Sequence, residues 1–367
     1  MGVGGVVSHF GSDQVPECQL RDYPIIRILE VKIDGVVIPP DEYELRDQRT
    51  LVRLRPSASF VPTERFGWPT CLVGGTLILT GSGVKPIEDV QAGERVLTHR
   101  NRWRRVVASA QTGVSATITL TGYGGTLQCT PGHRVWAAEL GARARVANAP
   151  DGTQRLGRRS LDAPAWRPAE SLVGSTWAMP TEVPSLPIPG LSHEPLPETF
   201  WWIIGRWLGD GWTATRHGFR SQVYICCGNH EADELEEALA TSDWKWRRYA
   251  EGRGTKFRVS KRWLAEWLHD QFGDSSHTKQ VPAWMFGAPE NVRAAFLAGY
   301  ASADGWEAEP TNGQKPFTSV VTVSRKLAIG LRILIGTLGY PSTLYPRNPA
   351  GYGGSVSYRV DWPTTKP

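Results

Sequence analysis

Alternating apolar and polar positions govern the first half of this chain, and helical periodicity enters only in the second. Within residues 19–56 the runs IIRILEVKIDGVVI, EYELRD and TLVRLRP are separated by Asp34-Gly35 and Pro39-Pro40-Asp41. Period-two runs joined by tight-turn residues predict a small antiparallel β meander. The pattern breaks off at Phe66-Gly67-Trp68-Pro69-Thr70 as though interrupted. From Cys71 to residue 180 the runs TLILT, RVLTH, RRVVASAQ, ATITLTGY, LQCT and HRVWAAE alternate with glycine-rich turns. They predict an all-β domain of many short strands.

Residues 181–197 contain five prolines and no period, which reads as a linker, with 183–197 as its bounds. Beyond Glu198 the pattern is mixed. Two helical segments, WIIGRWLGDG and LAGYASADG, are each followed by strand-like runs, QVYICC and TKFRVS in one case, FTSVVTVS and VSYRVD in the other. The amphipathic segments EADELEEALA, KRWLAEWLHDQF and RKLAIGLRILIGTLG accompany them. The device recurs 94 residues apart, from Asp210 to Asp304, and so predicts two α/β repeats.

A chain of 367 residues has room for two or three domains, each with its own core. No apolar run approaches membrane-spanning length and the N-terminus lacks the features of a secretion signal, so the expected location is cytoplasmic with no membrane partner. The five cysteines (18, 71, 129, 226 and 227) form no Cys-x-x-Cys pair and are odd in number. That argues against a disulfide scaffold or zinc site and for a reducing compartment in which the Cys71 thiol stays nucleophilic. Net charge is +5, distributed as −2 over residues 1–70, +6 over 71–180 and +3 over 196–367. This modest basic excess is compatible with nucleic acid.

Two constellations carry chemistry. At the first, the Cys71 thiol can attack the Thr70 carbonyl and convert the peptide bond into a thioester, an N-to-S acyl shift. The departing backbone nitrogen needs a proton and the tetrahedral oxyanion needs donors. Thr130 and His133, three residues apart in LQCTPGHRVW, suit these needs: Thr130 fixes geometry and His133 handles the proton near neutral pH. Cys129 is read as structural. The segments CLVGGTLILTGSG, TLQCTPGHRVW and WRPAESLVGSTWAMP resemble the opening, second and closing blocks of the N-terminal splicing region of inteins. The resemblance implies the Hint fold, an all-β horseshoe, over 71–182, with Thr70-Cys71 as the cleavage junction and residues 1–70 as a β-rich N-extein.

At the second, Gly205 and Gly209 share one helix face, as do Gly299 and Ala303. Each helix thus presents a groove of small residues that lets helix backbones approach closely. Asp210 and Asp304 follow at the same offset, at helix C-termini, where the helix dipole disfavours a carboxylate. If the helices run parallel, the two carboxylates converge and can hold Mg²⁺ for phosphodiester hydrolysis.

LAGYASADG resembles the LAGLIDADG motif of homing endonucleases, and IIGRWLGDG is a looser match. By that resemblance residues 198–367 form a pseudo-symmetric endonuclease acting on double-stranded DNA. Lys279, in KQVP, sits where intein endonucleases carry a catalytic-region lysine and is a candidate for transition-state charge stabilisation. Strands laid in the major groove would read bases, with Arg220, Lys256, Arg258, Arg325 and Lys326 as candidate contacts.

The expected fold class is therefore multidomain: a β-rich segment, the Hint horseshoe and the α/β endonuclease. No His-Asn pair occurs, so this chain is expected to form the thioester but not to ligate. Two explanations stand open, a truncated product and a natural N-terminal half that splices in trans with a C-terminal intein fragment. The segment of residues 19–56 resembles the N-terminal part of a small head–tail adaptor or minor structural protein of tailed phages, implying a phage-encoded host protein in the virion. The alternatives are such an adaptor carrying a decayed intein, and a Hint autoprocessing domain that cleaves without ligating.

Overall fold

The computed structural model describes five short strands between residues 17 and 53, and residues 71–365 except 110, 112–114, 123–124, 146–155, 173–174, 178–181, 192–195, 309–315 and 348–355. The chain divides into two compact units, Met1–Trp68 and Pro69–Pro367. In the first unit, Thr50–Arg53 pairs antiparallel with both Glu17–Gln19 and Tyr43–Arg46, and Val31–Ile33 pairs antiparallel with Val36–Ile38. The pairing is antiparallel, as alternation predicts, but the first strand pairs with the fifth and not with its neighbour in sequence, so the described strands do not form the expected meander. Phe66–Thr70 lies outside the described residues, and so does the electrophilic Thr70.

In the second unit, the described part of residues 71–177 contains strands and two single 3₁₀ turns but no α-helix. Leu77–Thr80 lies between Gly83–Pro86 and Arg95–Leu97 in a four-stranded sheet whose far edge is Trp103–Arg105. Ile118–Gly122 and Gly125–Cys129 form a hairpin. The long strand Arg134–Arg145 pairs with Leu156–Leu161, Ala165–Pro168 and Ser175–Trp177. The core here is thin. Its buried residues include Val84, Val90, Cys129, Ala137, Ala138, Ala169 and Leu172, most of them small.

The remainder is built around helices: α1 (Glu198–Asp210), α2 (Ala232–Ala240), α3 (Arg262–Phe272), α4 (Ala283–Phe286), α5 (Glu290–Asp304) and α6 (Arg325–Thr337). Alpha1 is buried from Trp201 to Leu208 on nearly every side, Trp202 alone being half-buried, as befits a helix at the centre of a domain. Pro197 and Pro289 precede α1 and α5, and Glu198 and Glu290 open them, placing acidic groups where the helix dipole is positive. Ser324 caps α6 by accepting from the Leu327 amide at 3.2 Å.

Two repeats are evident in the order of elements. After α1 come Gly211–Arg216 and Phe219–Gly228, then α2, then Trp246–Glu251 and Gly254–Ser260. After α5 come Gly305–Ala308 and Phe317–Thr322, then α6, then Thr343–Arg347 and Ser357–Pro363. Each set of four strands makes an antiparallel sheet in the same order, first, second, fourth, third. Alternation fixes the faces: in Gly254–Ser260, Thr255, Phe257 and Val259 are buried against the helices, and Lys256 and Arg258 lie on the opposite face.

The proline-rich segment behaves differently from a free linker. Residues 182–191 carry no helix or strand, yet Val183 is buried in the main core and Leu186, Ile188 and Leu191 pack against it. Trp103 Nε1 donates to the Pro184 carbonyl at 3.1 Å, and Trp267 Nε1 donates to that of Pro189 at 2.7 Å. Proline removes backbone donors, so an extended strap can lie on a core and leave fewer N–H groups to satisfy. No described helix is long and apolar enough to cross a membrane.

Candidate functional site

Alpha1 and α5 pack in parallel through the small residues anticipated from sequence. A methyl group on Gly205 would lie 2.8 Å from the Tyr300 amide nitrogen, and one on Gly299 would lie 3.0 Å from that of Arg206. Gly209 abuts Ala303. Any side chain at Gly205 or Gly299 would strike the backbone of the partner helix, so glycine is needed for proximity, both residues lying in regular helix. The close approach carries α1 and α5 to a common end. There a methyl group on Gly209, next to Asp210, would lie 3.4 Å from the Asp304 carboxylate.

Each Asp-Gly pair passes directly from helix to strand. Gly211 and Gly305 are extended, at φ −116° and −96°, so they are not left-handed helix caps. The carboxylates therefore stand at the junction between the helix pair and the two sheets. Both are half-buried. Burial raises the Asp210 pKa to about 6, with repulsion from Asp304 as the next cause. Burial also raises the Asp304 pKa. Tyr300, fully buried on α5, brings its hydroxyl near Asp304 without a well-aligned hydrogen bond, and its own pKa rises through burial and that neighbouring charge.

Two cations offset this concentration of negative charge. Arg206, 1% exposed, forms an ion pair with Glu231 at 2.6 Å and donates to the Ser302 carbonyl on α5. Lys279 is 6% exposed, and its Nζ donates to the carbonyls of Gly211 at 2.8 Å, Gly209 at 3.0 Å and Trp207 at 3.4 Å. Burial lowers its pKa to about 8 while both aspartates oppose the shift. These carbonyls lie at the C-terminal end of α1, where the helix dipole favours a cation, so Lys279 caps that helix beside Asp210. The Lys279 carbonyl in turn accepts from Ser324 Oγ at 2.7 Å.

The candidate DNA contacts divide. Lys256 and Arg258 share the outer face of the first sheet, Lys256 paired with Glu251 and Arg258 lying 5.4 Å over the Tyr249 ring. Arg220 is engaged with Thr213 at 2.5 Å and Asp274 at 3.3 Å. Arg325 and Lys326 are not on a strand. They open α6, and Arg325 donates to the Gly75 carbonyl at 2.9 Å, so it braces the β region. The amphipathic segment RKLAIGLRILIGTLG is the helix its pattern predicts, so its first two residues lie off the strand face proposed to read bases. Sequence reasoning missed Arg247, Arg347 and Arg359, which strand register places on outer faces. The period-two rule applied to RRYAE, TLYPR and SYRVD could have found them.

The structure also joins Cys71 to Thr130. Leu72 forms an antiparallel bridge with Cys129, and this short ladder sets Cys71 opposite Thr130. The Cys71 N–H donates to Thr130 Oγ1 at 3.1 Å, and the Thr130 N–H donates to the Cys71 carbonyl at 3.1 Å. Thr130 is fully buried, whereas Cys71 and His133 are half-buried. The His133 N–H closes a turn onto the Thr130 carbonyl at 3.0 Å, keeping the Thr-x-x-His pair compact. Cys71, Cys129, Cys226 and Cys227 are free thiols. A cavity of about 550 Å³ between the β region and the second repeat is lined by residues including Leu79, His99, Trp136, Ile329 and Leu344. Of the candidate site residues only Arg325 lines it.

Residues 291–361, from α5 through the last sheet, match the family model of the LAGLIDADG-like domain. The second repeat is thus similar to a LAGLIDADG-like domain, and the first has the same order of elements and strands. Among curated proteins the chain is similar to the ATP-dependent DNA helicase Hel308 of Thermococcus kodakarensis, 22% identical over 75% of this chain and 28% of that protein. It is 26% identical to a DNA polymerase of Thermococcus hydrothermalis over 46% of this chain and 10% of that protein. An iron-sulfur cluster assembly SufBD family protein of Mycobacterium leprae is 30% identical over 38% of this chain and 16% of that protein. The chain thus spans less than a third of the length of each. Among solved structures, variants of the homing endonuclease I-DmoI align with a TM-score of 0.33 at 14% identity, over 46% of this chain and 89% of that one. The meganuclease I-SmaMI aligns with a TM-score of 0.26 at 11% identity, over 45% and 78%.

Proposed function

We propose that the α/β repeats cut double-stranded DNA, with Asp210 and Asp304 as the paired metal-binding carboxylates. The observation that carries this reading is the convergence of two half-buried, mutually repelling aspartates at the shared end of α1 and α5. Burying like charges together is unfavourable unless a cation joins them. Among the described residues no group of three or more His, Cys, Asp and Glu could hold a metal. Two carboxylates suffice for a magnesium-like ion, which keeps several waters and takes phosphate oxygens as further ligands. Bound there, a divalent ion would supply Lewis acidity and an activated water. The protein's own residues fix the carboxylates: the glycine contacts set helix spacing, Lys279 and Arg206 offset their charge, and Tyr300 crowds Asp304.

Specific cutting of a duplex by the purified protein in Mg²⁺, absent in Asp210→Asn and in Asp304→Asn, tests the reading. Binding without cutting by the wild-type chain at any divalent cation concentration would sink it.

A second reading rests on its own observation, the hydrogen bond from the Cys71 amide to Thr130. That amide nitrogen is the one that leaves in an acyl shift at Thr70-Cys71, and on this reading Thr130 orients the scissile peptide. The curated relatives add support: their printed names have no activity in common, and the chain matches a limited part of each. A segment that recurs within otherwise unlike proteins has the distribution of an insert. On this reading residues 71–182 form the Hint splicing region, residues 1–70 belong to the interrupted host protein, and a C-terminal intein fragment is the partner for ligation. Intact mass with and without a small thiol tests it. Thiol-dependent loss of residues 1–70, absent in Cys71→Ala, is the expected result, and an unchanged mass in both proteins would overturn it.

A further inference from the structure

Aligning the two sheets by their registers reveals a duplication. Gly211 opposes Ile225 as Gly305 opposes Val320, so Trp212 and Trp306 occupy equivalent positions, each two residues beyond its aspartate. Further across the sheets, Cys226, Lys256 and Tyr249 lie in register, as do Val321, Arg359 and Tyr345. Each repeat therefore presents a tryptophan, a cation and a tyrosine at matching points of its outer face. The tryptophans are 38% and 41% exposed although their rings are large and apolar. Trp212 stacks on Tyr224 at 5.0 Å with Lys256 6.0 Å over that tyrosine, and Arg359 lies 5.3 Å over Trp306. Neighbouring equivalents differ: Arg258 corresponds to Asp361 and Arg247 to Thr343.

Building on the DNA-cutting reading, we infer that Trp212 and Trp306 seat the duplex at the two carboxylates, one tryptophan for each strand. Contacts that are alike in both repeats must meet chemistry found in both half-sites. A flat ring can lie against a base or deoxyribose of any identity, and a cation can meet any phosphate. Contacts that differ, Arg258 against Asp361 and Arg247 against Thr343, prefer different bases and so distinguish the half-sites. Both tryptophans stand beside the carboxylates and are positioning residues for the scissile bonds.

The test begins with a randomised duplex library in Mg²⁺. One duplex that the wild-type chain cuts is rebuilt in a supercoiled plasmid, and cleavage of each strand is timed. Trp212→Ala and Trp306→Ala should each slow one strand, a different one in each variant, by roughly tenfold or more, so that nicked circles accumulate. Phenylalanine at either position should restore most of the rate, and leucine, which keeps apolar bulk without the flat ring, carries the same strand comparison if an alanine variant melts early. Linearisation at the wild-type rate by both alanine variants, or equal slowing of both strands, would overturn the inference. Failure of the wild-type chain to cut any duplex would overturn the DNA-cutting reading itself, and this inference with it.

Discussion

Cys71 is held by ladder hydrogen bonds at the edge of a thin β core, whereas Asp210 and Asp304 are held by two helices whose backbones touch. In the β region the buried residues are few and mostly small, so position is set locally by Leu72 pairing with Cys129 and by the Thr130 hydroxyl. In the repeats, Trp207, Phe257, Phe272, Phe286 and Phe296 are all fully buried, and the core fixes the helices before the carboxylates are placed. A site set by one hydrogen bond is easily weakened and leaves the fold intact. A site set by helix spacing fails together with its fold.

The sharpest way to break this contrast is at the helix contact. Gly205→Leu would drive a side chain into the α5 backbone and should destabilise the repeats by roughly 3 kcal/mol or more, seen as early melting with loss of DNA cutting. Gly299→Leu should do the same. Next in size, Asp210→Asn should lower DNA cutting about a thousandfold, since a bound metal contributes several kcal/mol to the transition state.

The same substitution should also stabilise, with a defined pH dependence. The folded pKa of Asp210, about 6, lies above its ordinary value of 3.8, so the folded state holds this proton more tightly than the unfolded. Stability from this group is then present at low pH and lost as pH rises through that window. The Asp210→Asn variant should therefore melt roughly 2–4 °C above wild type at pH 7.5, the difference vanishing near pH 4. Lys279 shifts the other way. Its folded pKa of about 8 lies below 10.5, so its contribution rises between those pH values.

In the β region the expected effects are smaller. Thr130→Ala should slow thiol-dependent release of residues 1–70 by about tenfold, the loss of one hydrogen bond. It should leave DNA cutting unchanged, and a parallel loss of cutting would show that the two regions depend on each other more than this comparison allows. Arg325→Ala, which removes an exposed contact between α6 and Gly75, should shift stability by no more than about 0.5 kcal/mol in a thermal melt.

Much of this was legible in the chain. Period-two runs located Leu77–Thr80, Arg95–Leu97, Phe219–Gly228 and Gly254–Ser260, and the repeated Asp-Gly located both central helices with the small residues that join them. Other elements were not visible. Gly211–Arg216 and Gly305–Ala308 begin within the Asp-Gly that ends each helix, a pair that reads as a turn and not as the start of a strand, and the first of these strands is largely polar. The prolines of 183–197 signalled a linker because sequence records their missing donors but not the core on which they lie.

The sequence by itself determined the division into β and α/β regions, the doubling of the carboxylates and the pairing of Cys71 with a Thr-x-x-His segment. Periodicity, small-residue spacing and turn chemistry are local, and each is written in neighbouring residues. Tertiary structure alone decided what each charged group touches. Lys279 became a helix cap, Arg325 a brace and Trp212 with Trp306 an exposed pair, because hydrogen bonding and burial depend on residues far apart in the chain.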